Sequence, residues 1–207
     1  MKILCIGRNY ADHARELNNP LPEAPMVFMK PPTALLVNDK PFYYPDFSTD
    51  IHYELEVVVR IGRNGRHVQP EFASKYIDQI GLGLDLTARD LQEQCKKKGH
   101  PWEIAKGFDN SAPLSEFVPA EPFSLDDIEF WLVRNGEEVQ RGNTRDLIFP
   151  VTDLIVHLSK YFKFQQGDLL FTGTPAGVGP IQKGDLLEGY LRMPDGSSQL
   201  MLSCEVK

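Results

Sequence analysis

Apolar and polar positions alternate over short runs bounded by turn residues, and few stretches keep a helical period, so the pattern predicts a strand-rich chain. The most informative run is residues 50–62, Asp-Ile-His-Tyr-Glu-Leu-Glu-Val-Val-Val-Arg-Ile-Gly. It reads as one strand entering a tight hairpin at Asn64-Gly65, with a short partner over residues 66–68. Alternation puts Tyr53, Leu55, Val57 and Val59 on one face and His52, Glu54, Glu56 and Val58 on the other. Two neighbouring carboxylates in a core-like strand repel each other and lose hydration. A divalent cation between them removes both penalties, and oxygen ligands at i and i+2 converge on one ion only from a strand. A sheet edge with one solvated face explains the same pattern without an ion.

Other segments follow in order. Residues 2–7 read as a short buried strand, and Asn9 as the cap of a short helix reaching Leu17. On that helix His13 and Glu16 are i,i+3 neighbours. Residues 18–25, Asn-Asn-Pro-Leu-Pro-Glu-Ala-Pro, cannot be regular structure, so residues 9–25 are expected to form a mobile lid. Residues 26–31 form a strand that ends at Lys30. Residues 80–87 form a second informative strand, with Asp85 near its carboxyl end and glycines suited to close packing. Thr87 then caps a helix that stops at Gly99, and Lys96, Lys97 and Lys98 sit where cations favour a helix C-terminus. Arg89 and Gln92 open that helix beside Asp85. Lys106 lies in an apolar setting. Asn135-Gly136 and Asp195-Gly196 mark hairpins, and residues 151–164 form an amphipathic helix on which His157 is structural. Residues 172–180 make a glycine-rich loop without a dinucleotide fingerprint; its amides and the Thr174 hydroxyl suit a carboxylate.

Composition narrows the classes. A chain of 207 residues is expected to be one catalytic domain, residues 1–207, able to bury a core without staples. A net charge of −7 with scattered basic residues argues against nucleic acid. No apolar run is long enough for a membrane span or a signal peptide. Three cysteines without metal spacing read as reduced thiols, which implies a cytoplasmic protein.

Five ordered motifs then resemble the fumarylacetoacetate hydrolase family: Gly7-Arg8-Asn9-Tyr10-Ala11-Asp12-His13, Phe28-Met29-Lys30-Pro31, His52-Tyr53-Glu54-Leu55-Glu56, Leu84-Asp85-Leu86-Thr87-Ala88-Arg89-Asp90, and Thr172-Gly173-Thr174-Pro175. The resemblance covers nearly the whole chain and is nearest the small members, which include acylpyruvate hydrolases and oxaloacetate decarboxylases. It implies an α+β, β-rich fold, a mixed-sheet roll or sandwich with a few peripheral helices, and a homodimer. It further implies a Mg²⁺ or Mn²⁺ site of Glu54, Glu56 and Asp85, a catalytic group of His13, Glu16 and Lys106, and a substrate pocket of Arg8, Lys30, Arg89, Gln92 and Thr174. Gly142-Asn143-Thr144 matches a further family stretch without an assigned role. Three carboxylates leave positions of a hard cation open for a 2-oxo acid, whose enolate the ion stabilises. Three reactions use that chemistry: hydrolysis of an acylpyruvate, which stands first; oxaloacetate decarboxylation or keto–enol tautomerisation; and 2-oxo-acid hydration or isomerisation. A scaffold with a purely structural ion would not need the surrounding Lys106, Arg89, Gln92 and His–Glu pair.

Overall fold

The computed structural model describes residues 1–16 and 20–207. Its strands, in chain order, are β1 (Ile3–Gly7), β2 (Met26–Lys30), β3 (Leu35–Leu36), β4 (Ile51–Tyr53), β5 (Leu55–Ile61), β6 (Ile77–Leu84), β7 (Thr87–Ala88), β8 (Ala112–Pro113), β9 (Val118–Pro119), β10 (Glu129–Arg134), β11 (Glu137–Asn143), β12 (Leu169–Phe171), β13 (Gly179–Pro180), β14 (Leu186–Arg192) and β15 (Ser198–Glu205). The helices are α1 (Ala11–Glu16), α2 (Arg89–Lys98), α3 (Glu103–Lys106) and α4 (Val151–Tyr161). The fold is α+β and strand-rich, as the family resemblance implies.

A mixed sheet in the order β2-β1-β12-β5-β6-β9 carries the centre of the molecule. An antiparallel sheet, β11-β10-β14-β15, packs against it: a Cβ at Gly189 on β14 would meet the ends of Leu55 on β5 and Leu82 on β6. β5 is buried on both faces because both are covered, although only one face is apolar throughout; the other carries Glu56, Val58 and the half-buried Arg60. Leu55, Val57 and Val59 belong to the main core between the sheets, whereas Val58 packs with Ile3, Cys5, Leu114 and Phe171 in a smaller cluster. Glu54 and Glu56 share Val58's side by alternation and are buried with it, so no solvated edge explains them.

Several expectations change at this level. The run 50–62 is two strands, interrupted at Glu54; β4 leaves the main sheet to pair with β13 and β7. Residues 66–68 are not a strand. Gly65 bridges to Phe164, a 3₁₀ segment spans Pro70–Tyr76, and the partner of β5 is β6. The Asn-Gly dipeptide is thus spent on docking the α4 end rather than on a hairpin. Asn9 does not cap α1: its amide donates to Phe149 O at 3.0 Å and Thr172 O at 2.8 Å and accepts from Phe149 N, tying three segments together. The Thr87 hydroxyl is bonded to Asp85 O, so α2 begins at Arg89 without a side-chain cap. α4 stops at Tyr161, where the chain turns extended to bury Phe164. The remaining punctuation behaves as expected. Gly99 ends α2 at φ 64°, and the Asn135-Gly136 hairpin joins β10 to β11. The three cysteines are free and buried. Part of the expected lid, residues 17–19, and the helix end at Leu17 lie outside the described residues. Among those residues no helix is long and apolar enough to cross a membrane.

Candidate active site

The strand break places Glu54 at the junction of β4 and β5 and Glu56 two residues on, and Asp85 follows β6 directly. Asp85 N donates to Glu54 O at 2.8 Å, which locks the two loops in register. One carboxylate oxygen from each of Glu54, Glu56 and Asp85 can be chosen so that all lie within 4.8 Å of one another. The three side chains are buried, with relative exposures of 5%, 2% and 1%.

Three cations surround this triad, unequally shared. Lys106, from the short α3, reaches Glu54 Oε2 at 2.9 Å and Asp85 Oδ2 at 2.6 Å. Arg89, at the start of α2, donates to Glu54 Oε1 at 2.7 Å and to Gln92 Oε1 at 2.8 Å. Lys30 Nζ lies 2.8 Å from Asp85 Oδ1. Glu56 has no ion pair among the described residues; its polar contact is the Gly173 N–H, 2.7 Å from Oε2. The electrostatics follow. Burial opposes ionisation of Glu54, but Lys106 and Arg89 overcome it and hold that carboxyl well below its ordinary range. Burial, then Asp85 and Glu54, push the Glu56 carboxyl well above its ordinary range. Burial works against the Lys106 ammonium, and Asp85 and Glu54 outweigh it and raise its pKa.

This arrangement fits a hard divalent cation. Asp85 Oδ1 is buried without a hydrogen-bond donor. Lys30 stands close to it but directs its ammonium at Leu86 O, Lys106 O, Ser111 O and Ser111 Oγ, so the pair is one of charge rather than of a directed bond. An orphaned carboxylate oxygen beside an under-neutralised Glu56 is what an all-oxygen ligand set looks like.

A cleft opens above the triad, lined among others by Arg8, His13, Phe28, Arg89, Gln92 and Lys106. His13 is buried on α1, with Nδ1 3.4 Å from Glu16 Oε2. The Glu16 carboxylate also accepts from Gly177 N at 3.1 Å, so the glycine-rich loop does receive carboxylates, but the protein's own: Glu56 at Gly173 and Glu16 at Gly177. Arg89 Nε is buried and unpartnered beside the cleft, a donor left for an acceptor that the protein does not supply. The free space is about 30 Å³, room for roughly one water, so a substrate cannot enter without displacement of α1 or its neighbours.

Two expected pocket residues lie elsewhere. Lys30 is 2% exposed and faces backbone carbonyls behind Asp85, not the cleft. Thr174 Oγ1 donates to Leu55 O at 2.8 Å and accepts from Gln140 Nε2 at 2.9 Å, so its hydroxyl is already committed. Phe28 and Trp102, whose rings pack 6.1 Å apart against the cleft, and Gln140, beneath the glutamates, were not anticipated; one apolar or amide residue among many carries no sequence signal. A surface groove of about 820 Å³ shares no lining residue with this cleft. Its Arg141, Arg145 and Arg192 are paired with Glu129, Glu138 and Asp127, which leaves little charge for a ligand.

Comparison with known proteins agrees with this chemistry. The model of the fumarylacetoacetate (FAA) hydrolase C-terminal family matches residues 2–200. The chain is 45% identical over 188 residues to the oxaloacetate tautomerase YcgM of Escherichia coli (strain K12), covering 90% of this chain and 86% of that protein. It is 41% identical over 189 residues to the mitochondrial oxaloacetate decarboxylase of Dictyostelium discoideum, covering 90% and 87%. Among solved structures, fumarylpyruvate hydrolase from Pseudomonas aeruginosa, in complex with Mn²⁺ and pyruvate, superposes with a TM-score of 0.91 at 36% identity, over 100% of this chain and 89% of that one. With a family model spanning almost its full length and relatives above 40% identity, the chain is an enzyme of the fumarylacetoacetate hydrolase family.

Proposed function

We propose that the chain is a divalent-metal-dependent enzyme of oxaloacetate, with keto–enol tautomerisation as its principal reaction. Sequence motifs alone put acylpyruvate hydrolysis first; the oxaloacetate names of relatives above 40% identity move tautomerisation ahead of it. The observation that carries the reading is one small cleft that reaches the acidic triad at Glu54 and is lined by Arg8, Arg89, Lys96, Lys106 and the imidazole of His13. That set suffices to hold a short dicarboxylate and to move one proton.

A Mg²⁺ or Mn²⁺ ion held by Glu54, Glu56 and Asp85 would supply Lewis-acid stabilisation of the charge that develops on the 2-oxo oxygen. Lys106 adds a fixed positive charge beside that oxygen. Arg89 offers its unpartnered Nε, and Arg8 its guanidinium at the cleft mouth, to substrate carboxylates, while Gln92 holds Arg89 in place. Because Nδ1 of His13 faces Glu16, Nε2 is the ring atom left to take a proton from the carbon next to the keto group. The electron pair of that C–H bond becomes the new C–C double bond, the carbonyl π pair moves onto the 2-oxo oxygen, and the imidazolium gives its proton to that oxygen. Glu16 orients the ring and stabilises its cation. With residues 9–25 as the lid of a single catalytic domain, α1 opens to admit substrate and closes to exclude water. A homodimer is the assembly that the resemblance implies, and light scattering checks it.

Acylpyruvate hydrolysis is the second reading. It is favoured by the His13–Glu16 pair, which can equally activate a water, and by the pyruvate complex of the Pseudomonas neighbour. Following the ultraviolet absorbance of enol-oxaloacetate, in parallel with pyruvate release from oxaloacetate and acetylpyruvate, separates the readings. Each assay is run with Mg²⁺, Mn²⁺ or chelator. Metal-dependent enol loss should have the highest kcat/KM; a higher value for acetylpyruvate cleavage would put hydrolysis back in first place.

A further inference from the structure

We propose that Gln140, on β11 of the second sheet, is a positioning residue that fixes the backbone between Glu54 and Glu56 and thereby sets the metal affinity of the site. The inference rests on the reading of Glu54, Glu56 and Asp85 as metal ligands.

The need for such a residue arises from the sheet itself. On one side β5 is bonded to β6, with Leu55 opposite Leu84. On its other side β5 has β12, but that strand ends at Phe171, opposite Val58, and the chain turns away. Leu55 therefore has no neighbouring strand on that flank for its N–H and C=O. Side chains replace the missing strand. Gln140 Oε1 accepts from Leu55 N at 2.9 Å, and Thr174 Oγ1 donates to Leu55 O at 2.8 Å. Gln140 Nε2 closes the ring by donating to Thr174 Oγ1 at 2.9 Å, and it donates again to Pro175 O at 3.0 Å. The amide orientation is fixed by this network, since a backbone N–H only donates and a carbonyl only accepts.

Gln140 is 2% exposed, and its oxygen and both its N–H groups have partners. It clamps the residue that separates the two glutamates, so a rotation at Leu55 would turn both carboxylates. It also braces the loop whose Gly173 N–H is the polar contact of Glu56. Gly142, two residues along β11, belongs to the same device: a Cβ there would come within 2.9 Å of Pro175. Gly142 of the Gly142-Asn143-Thr144 stretch thus gains a role as the support on which Pro175 rests, while Asn143 and Thr144 bond to Asp127 and Ile128 instead.

The test is calorimetric titration of the metal-free full chain with Mn²⁺ alone. Gln140→Met keeps most of the volume and removes every hydrogen bond. It should weaken Mn²⁺ binding about 10-fold or more, as loss of groups that orient metal ligands does. Leu158→Ala, a core truncation on α4, is the control for instability and should keep wild-type affinity. If the Met variant gives no cooperative melting transition, Gln140→Asn, which keeps the amide one methylene short, carries the same expectation. Wild-type Mn²⁺ affinity in the folded Gln140 variant overturns the inference, whatever its melting temperature, and so does an equal loss in the Leu158 control. Absence of Mn²⁺ binding by the wild-type chain overturns the metal reading itself.

Discussion

The Gly173 N–H, 2.7 Å from Glu56 Oε2, is the neutral donor that stands where Glu54 and Asp85 have lysine or arginine. Gly173 can approach so closely because it lies at φ 110°, and a Cβ there would sit 2.7 Å from Asn9 Cβ. One amide does not balance a buried carboxylate, and the pH behaviour of the metal-free protein follows. A carboxyl whose folded pKa is raised contributes stability that is complete below its unfolded value, 4.5, and is lost as the pH rises through the folded value. Glu54 has the opposite sign: its contribution is complete above 4.5 and is lost only as the pH falls through its lowered value. Above 4.5 the Glu54 contribution is complete while the Glu56 contribution falls as the pH rises. The lowered pKa of His52 and His157 acts the other way near neutrality, so the melting temperature of the wild type should decline with pH relative to that of Glu56→Gln. Mg²⁺ or Mn²⁺ should flatten the decline and release a proton on binding. The same metal-free pH profile in the wild type and Glu56→Gln would mean that the Glu56 carboxyl is not held above its ordinary range.

Glu56→Ala should abolish Mn²⁺ binding and turnover while raising or preserving the stability of the metal-free chain. The variant no longer has a buried carboxyl whose ionisation burial, Asp85 and Glu54 oppose. Calorimetry and thermal melting together check this; retained affinity would take Glu56 out of the ligand set.

Lys106→Met and Lys30→Met should differ in a diagnostic way. Lys30→Met removes one of the two cations on Asp85, and Lys106→Met removes one of two on Asp85 and one of two on Glu54, so both should destabilise the metal-free protein, Lys106→Met the more. Lys106 lines the cleft and Lys30 does not. Only the Lys106 variant should then lose kcat more than its metal affinity predicts, the mark of an interaction made in the transition state. Equal kcat losses at matched metal occupancy would make Lys106 a structural cation like Lys30.

His13→Ala should cost on the order of 10²-fold in both oxaloacetate tautomerisation and acylpyruvate hydrolysis, since each needs a proton moved. Metal-assisted decarboxylation of oxaloacetate needs no base and should fall less. A decarboxylation rate that drops in parallel would assign His13 to closure of the cleft rather than to proton transfer.

The thiols should be inert in the native protein. Burial pushes Cys5 well above its ordinary value, and Cys204 up to about 11. An aromatic disulfide reagent at mild pH should therefore titrate all three cysteines only after denaturation.

The family motifs carried the acidic triad, the His–Glu pair and the Arg–Gln pair because charged residues at fixed spacing stand out against an apolar strand. The supporting shell was illegible for the same reason reversed. Thr174 and Lys30 carry polar groups that suit a ligand equally well, and only the three-dimensional position of Leu55 O, Leu86 O and Ser111 O shows that the protein itself uses them. Strand alternation placed Glu54 and Glu56 on one side of β5. It could not show that β4 departs at Glu54, because pairing with β7 and β13 depends on residues far along the chain. The Asn64-Gly65 turn misled because local turn chemistry was overridden by the bridge to Phe164.

The closure of Leu55 by Gln140 and of Glu56 by Gly173 spans 85 and 117 residues of sequence. Contacts so distant form only after much of the chain has collapsed, because loop closure must precede any reward. Metal cannot therefore template this protein in the way it templates a zinc finger. During synthesis the acidic triad is complete once Asp85 has emerged, yet the backbone that aims it is set only when the glycine-rich loop arrives. A chain arrested before residue 173 should hold Mn²⁺ no better than an unstructured acidic peptide.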